Sequence, residues 1–187
     1  MNVEVAVSNR HVHLTEDVWK KLFGDLELNV RNELRQPGQF ASTSVVDIMV
    51  NGVVKQHVRV VGPFRSYNQV EIMESDAKVF GVMPPRRQSG DLDGSLSVTL
   101  IGPNGEVNLD NGLILAECHI HMPLNLALEN NLEDKQEVKV YKNDLFVMNS
   151  RIKVSNDAYL EMHVDKDEEV LYDLHQGDLV KFEVCGK

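Results

Sequence analysis

Two His-x-His pairs, His11/His13 and His119/His121, are the residues of this chain best suited to chemistry. In a β-strand residues two apart face the same side, so each pair can present both imidazoles to one ion. Imidazole nitrogen suits Zn²⁺, Fe, Ni or Cu, and the spacing alone does not choose among them. A single His-x-His is a weak signal. Two of them at matching places in two similar halves point to a metal. His163, in Leu160-Glu161-Met162-His163-Val164, could complete one ligand set. Glu71, in Asn68-Gln69-Val70-Glu71-Ile72, is a candidate carboxylate ligand. For both, an ordinary polar residue on the solvent face of a strand is the plain alternative. His57 and His175 stand alone among strand and loop residues and receive no role.

Gly62-Pro63-Phe64-Arg65-Ser66 reads as a break at a strand end that leaves Arg65 in a loop. A guanidinium can clamp phosphate oxygens in bidentate fashion, whereas a solvated arginine would do nothing in particular. The stretch from Pro84 to Asp91 is rich in proline, glycine and arginine, as functional loops and linkers both are. Cys118 adjoins His119, so a regular strand points it away from the histidine face, and it reads as a buried thiol. No serine sits in a nucleophile-elbow pattern, which removes the basis for a Ser-His-Asp triad.

The elements that must position these residues are mainly strands. Val45–Val50, Asn51-Gly52 and Val53–Val61 read as a hairpin, because Asn-Gly tolerates the positive φ of a type I′ turn. A second hairpin is expected around Pro103-Asn104-Gly105, between Ser95–Ile101 and Glu106–Leu109. A third is expected around Lys142-Asn143-Asp144, between Glu137–Tyr141 and Leu145–Val154. Val3–Ser8, Leu160–Val164 and Leu179–Val184 are further strands. Thr15 can N-cap a helix that runs to Phe23 and ends at Gly24, with Glu16 and Asp17 in its first turn. Pro123–Glu129 and Asp167–Leu174 are weaker helices, and Asp76–Phe80 a single turn.

Arg10-His11-Val12-His13-Leu14 and Cys118-His119-Ile120-His121-Met122 each precede a short helical stretch and then paired strands. Each half also holds a hydrophobic-Glu-hydrophobic triplet, Val70-Glu71-Ile72 and Leu160-Glu161-Met162. The fold expected is therefore mainly β, with two small β-barrel domains in a tandem pseudo-repeat capped by short α-helices. The halves are placed at 1–90 and 91–187, with an approximate boundary and the possibility that strands are exchanged between them.

At 187 residues, 42% hydrophobic and 26% charged, the composition is that of a globular protein. No apolar run approaches the ~20 residues that span a bilayer, and the first residues lack a signal-peptide profile. Two cysteines are too few for a disulfide framework, so a cytoplasmic setting is expected. The net charge of −10 argues against a nucleic-acid partner but allows a small anion in a local arginine cluster.

Taken together, several segments resemble one family. They are Ser8-Asn9-Arg10-His11-Val12-His13-Leu14, Gln36-Pro37-Gly38-Gln39-Phe40-Ala41, Gly62-Pro63-Phe64-Arg65, Gln69-Val70-Glu71, Ser89-Gly90-Asp91, His119-Ile120-His121-Met122 and Leu160-Glu161-Met162-His163. They run in order through nearly the whole chain and resemble the PduL-type phosphotransacylases, or phosphate propanoyltransferases. The resemblance implies two β-barrel domains with a dinuclear zinc site between them. It implies an enzyme that interconverts acyl-CoA (propanoyl- or acetyl-CoA) plus phosphate with acyl phosphate plus CoA, by direct attack of phosphate on the thioester.

By position, His11, His13 and Glu71 match the ligands of one zinc, and His119, His121 and His163 those of the other, making two Zn²⁺ per chain. Arg65 matches the phosphate-binding arginine and is the candidate catalytic residue, while Arg87 would lie near CoA. Dimers are common in the family, so a homodimer is expected. Family members in bacterial microcompartments, including those of propanediol degradation, often carry an N-terminal targeting extension. Seven residues precede Ser8 here, which favours the cytoplasm over a microcompartment. The family usually has arginine where this chain has Cys118, which implies a positive charge removed near the second pair. A mononuclear cupin-like metalloenzyme would explain only the first pair. A structural metal-binding β-barrel would use the histidines for stability alone.

Overall fold

The computed structural model describes residues 1–185. The chain opens with β1 (Asn2–Ser8) and β2 (His11–His13), followed by α1 (Glu16–Phe23) and β3 (Val30–Glu33). The hairpin β4 (Phe40–Val50) and β5 (Val53–Gly62) leads to β6 (Gln69–Ile72), α2 (Glu74–Phe80) and β7 (Arg86–Arg87). Next come β8 (Leu96–Gly102), β9 (Gly105–Ala116), β10 (His119–Pro123) and α3 (Leu124–Glu129). The hairpin β11 (Glu137–Lys142) and β12 (Leu145–Ser155), then β13 (Glu161–Asp165), α4 (Lys166–Tyr172) and β14 (Leu179–Val184) complete the order.

Local chemistry accounts for many of these boundaries. Asn51 and Gly52 adopt φ of 49° and 76°, and Asn143 and Asp144 φ of 51° and 63°, giving two turns whose twist suits tight hairpins. Thr15 accepts a hydrogen bond from Val18 N–H at the start of α1, and the Gly24 N–H returns to Lys20 O at its end. The helix buries Val18, Trp19, Leu22 and Phe23 and leaves its charged face outside. α2 is longer than the single turn expected, because Asp76 reaches back to the Met73 N–H and extends the helix by its capping contact.

The unit formed by Asn9–Ala116 is a barrel of six strands in the order β4-β5-β2-β6-β9-β8, closed where β8 pairs with β4. Strands β3 and β7 are added at its edges. Its interior packs Val12, Leu14, Ile48, Leu100 and Leu113 with the apolar face of α1.

The second unit consists of Met1–Ser8 and the chain from Glu117 onward. It is also a closed barrel, β1-β13-β10-β12-β11-β14, around Val5, Ile120, Met122, Ile152 and Met162.

The pairings of the two barrels match strand for strand. β2 runs parallel to β5 and antiparallel to β6, as β10 does to β12 and β13. β9 runs parallel to β6, as β1 does to β13. In the chain, β1 immediately precedes β2 yet closes the barrel of β10, while β9 immediately precedes β10 yet closes the barrel of β2. The first strand of each repeat thus belongs to the other repeat's barrel. Residues 91–116, which the sequence reading grouped with the later half, pair with β4, β6 and β7 of the earlier one. That placement follows from β9, which extends well past Leu109. Gly112, at φ 127°, lies at the irregularity in the β8 pairing just before Leu113, where the parallel pairing with β6 begins, and a Cβ there would lie 2.8 Å from Asn68 O.

Candidate metal centres

Period-two alternation on β2 turns Val12 into the barrel core and His11 and His13 to the opposite face. Antiparallel pairing with β6 sets His11 opposite Glu71 and His13 opposite Gln69. Glu71 Oε2 lies 3.5 Å from His11 Nε2 and Oε1 3.8 Å from His13 Nε2. The ligand-type atoms of His11, His13 and Glu71 all fall within 4.8 Å of one another.

Backbone carbonyls orient both rings. His11 Nδ1 meets Asn9 O at 2.8 Å and His13 Nδ1 meets Val61 O at 3.1 Å. A carbonyl can only accept, so each Nδ1 carries the hydrogen, and each Nε2, on the Glu71 side, is the atom that can offer a lone pair to a cation when its ring is neutral. Burial, and then the neighbouring His11, lower the pKa of His13 to about 3, which keeps it neutral. For His11 burial opposes protonation, but the Glu71 charge and hydrogen bond outweigh it and raise the pKa.

The other barrel repeats the arrangement. β10 buries Ile120 and Met122 in the core and turns His119 and His121 to the other face, with His119 paired across to His163 on β13. The ligand-type atoms of His119, His121 and His163 also lie within 4.8 Å of one another. His119 Nδ1 donates to Glu117 O at 2.7 Å, and its Nε2 faces His121 Nε2 at 3.1 Å. Lone pairs directed at one point need a proton or a cation there, and three imidazoles are a donor set for a borderline-soft divalent ion. Both sets fit a metal on their own geometry.

Arg65 lies three residues beyond the end of β5, and its N–H donates to Leu14 O at 2.8 Å, next to His13. Its charge acts on both His11 and His13. Its Nε is buried with no hydrogen-bond partner among the described residues, an orphan donor suited to an anion. Arg87 is committed within its own loop, donating through Nε to Asp93 O at 2.9 Å and lying 3.7 Å from Asp91 and 3.8 Å from Asp93.

Cys118 points away from the histidine face, into the core with Met148 and Ser150. Burial, then Glu168, raise its pKa and keep it a thiol. The counterpart of Cys118, Arg10, likewise turns inward, to Asp76. Arg10 is thus a barrel contact, and Cys118 shares its inward direction.

Two residues were not assigned from the sequence. Gln69 and Glu161 occupy matching positions, each two residues before the third potential ligand. Gln69 Nε2 donates to Glu71 Oε1 at 2.6 Å, and Glu161 Oε1 lies 2.7 Å from His163 Nε2. Their period-two spacing from Glu71 and His163 was the signal available in the sequence.

The sequence profile described as phosphate propanoyltransferase matches residues 4–175. The chain belongs to the phosphate propanoyltransferase family. It is an acyltransferase. It is 44% identical to a phosphate propanoyltransferase of Thermotoga maritima, over 94% of this chain and 86% of that one. A relative of the same name from Levilactobacillus brevis is 42% identical, and one from Citrobacter freundii 39%, each over 89% of this chain and 81% of the relative. No helix among the described residues of this phosphate propanoyltransferase family member is long and apolar enough to cross a membrane.

Proposed function

We propose that this chain is a zinc-dependent phosphate acyltransferase that interconverts acyl-CoA, with propanoyl or acetyl groups, plus phosphate with acyl phosphate plus CoA. One Zn²⁺ would be held by His11, His13 and Glu71, and one by His119, His121 and His163. The observation that carries the reading is the matched pair of three-residue donor sets in a phosphate propanoyltransferase family member. Three protein ligands leave a coordination position open, as catalytic rather than structural zinc requires. A cupin-like single-metal site would leave the second set without a role.

A phosphate oxygen attacks the thioester carbonyl carbon, the C–S bond breaks, and the sulfur leaves as the thiolate of CoA. Arg65 holds the phosphate through its guanidinium, including the orphan Nε–H, and so lowers the entropic cost of bringing it to the carbonyl. No protein nucleophile is needed, and Cys118 is too buried to be one. Bound zinc supplies Lewis-acid polarisation and affinity for a deprotonated sulfur. Arg87 would meet the CoA phosphates by exchanging Asp91 and Asp93 for them. The proposal extends to a homodimer acting in the cytoplasm, with microcompartment association as the alternative setting.

The test supplies propanoyl- or acetyl-CoA and phosphate to zinc-loaded protein and follows free thiol, with zinc counted in parallel. Phosphate-dependent thiol release with two zinc ions per chain is expected. Absence of release with zinc bound, or one redox-active metal per chain, would overturn the proposal.

A further inference from the structure

Gln69 is fully buried, and its whole amide is engaged. Nε2 donates to Glu71 Oε1 at 2.6 Å and to Ser89 Oγ at 2.9 Å, while Oε1 accepts the Gly90 N–H at 2.8 Å. Ser89 Oγ is in turn 3.4 Å from Tyr67 OH. One side chain therefore joins the carboxylate of the His11/His13/Glu71 set to the turn at Ser89-Gly90, just beyond Arg87. We propose that Gln69 is a positioning residue that fixes the Glu71 carboxylate for metal binding and anchors to it the loop of residues 88–91 that follows β7, so that loop and centre are built as one unit.

The geometry specifies what the amide does. Its bond to Oε1, the oxygen 3.8 Å from His13 Nε2, fixes the carboxylate so that Oε2 is turned to His11 Nε2 at 3.5 Å. An amide is suited to both tasks because it donates to a carboxylate and accepts from a backbone N–H at once. The matching position of the other barrel supports the assignment. There the neighbouring group is the imidazole of His163, which can donate, and the residue is Glu161, which can only accept when ionised. The polarity of the residue changes with that of the group it orients.

The inference rests on reading His11, His13 and Glu71 as a metal set, and the experiment separates the two. Full-length wild type, His13→Ala, Gln69→Ala, Gln69→Glu and Ser89→Ala are loaded with Zn²⁺. Zinc release to a chelator is followed together with backbone amide exchange over residues 88–91. Gln69→Glu keeps an acceptor for Gly90 N–H but sets a second negative charge against Glu71. It should lose one zinc per chain 10- to 100-fold more readily than wild type, with the loop still protected. Ser89→Ala should loosen the loop more than it affects zinc, and Gln69→Ala should do both.

In every Gln69 variant the zinc of His119, His121 and His163 should stay at its wild-type level. Equal loss from both sets is what general destabilisation produces, and it would overturn the inference. So would zinc retention in Gln69→Glu equal to that of wild type. If Gln69→Ala does not fold, Gln69→Glu and Ser89→Ala still decide. If wild type and His13→Ala hold the same zinc, the metal reading itself has failed, and the positioning role falls with it.

Discussion

Arg10 Nε donates to Asp76 Oδ2 at 2.7 Å, and the matching residues of the other barrel are Cys118 and Glu168. Asp76 is 2% exposed and also meets Lys55 Nζ at 3.0 Å and the Met73 N–H at 3.3 Å. Burial alone would raise its pKa. The Arg10 and Lys55 hydrogen bonds outweigh that and lower it below 3.8. Arg10→Ala should destabilise by about 1.5–3 kcal/mol, the range for a hydrogen bond to a charged group. Denaturant unfolding at neutral pH measures it.

The same carboxylate gives a pH dependence of defined sign. A depressed folded pKa contributes stability that is present above the unfolded value of 3.8 and lost as pH falls through the folded value. Wild type should therefore lose part of its stability between about pH 4 and the lower folded pKa. Asp76→Asn, less stable at neutral pH, should show a flatter curve in that window. Identical slopes for the two proteins would remove Asp76 as the source.

Cys118 should be inert in the folded protein. Its Sγ is buried against Met148 and Ser150, whereas Cys185 is partly exposed. Of the two cysteines, alkylation at pH 8 should label Cys185 natively and both only after denaturation. Because Cys118 faces the core, Cys118→Ala should lower stability without altering phosphate use.

Arg65→Ala should separate substrate from metal. Losing a charge-assisted hydrogen bond of about 1.5–3 kcal/mol corresponds to roughly a 10- to 150-fold fall in kcat/KM for phosphate. Zinc content should stay at the wild-type value, since Arg65 supplies no ligand atom. Zinc loss in this variant would reassign the residue to holding the centre.

What could be read in the sequence was what is local. The turns at Asn51-Gly52 and Asn143-Asp144, the cap at Thr15 and the period-two histidines each follow from a few adjacent residues, and the barrels bear them out. The continuation of β9 was hidden because Asp110, Asn111 and Gly112 look like a loop, while Leu113, Ile114 and Leu115 beyond them are paired by β6, a strand distant in sequence. Gln69 and Glu161 were opaque for a similar reason. Their roles are set by what stands beside them in the folded barrel, and period-two spacing says only which face they share with Glu71 and His163.

The exchanged strand gives the sharpest separation between the barrels. β1 pairs with both β13 and β14, and Ala6 lies opposite His163. Val3 and Val5 fill the core around Ile120 and Met162. Removing residues 1–7 would open that barrel along two edges and uncover backbone groups that nothing else pairs. His163 would lose its neighbouring strand, so the zinc of His119, His121 and His163 should be released, and amide exchange should rise over residues 161–165 and 179–184. The barrel of β2, closed by β9, needs none of these residues. Its His11/His13/Glu71 zinc and the protection of β4 and β5 should persist, although the residues removed lie within four positions of His11. Loss confined to the His11 set, or spread evenly over both, would contradict the exchange.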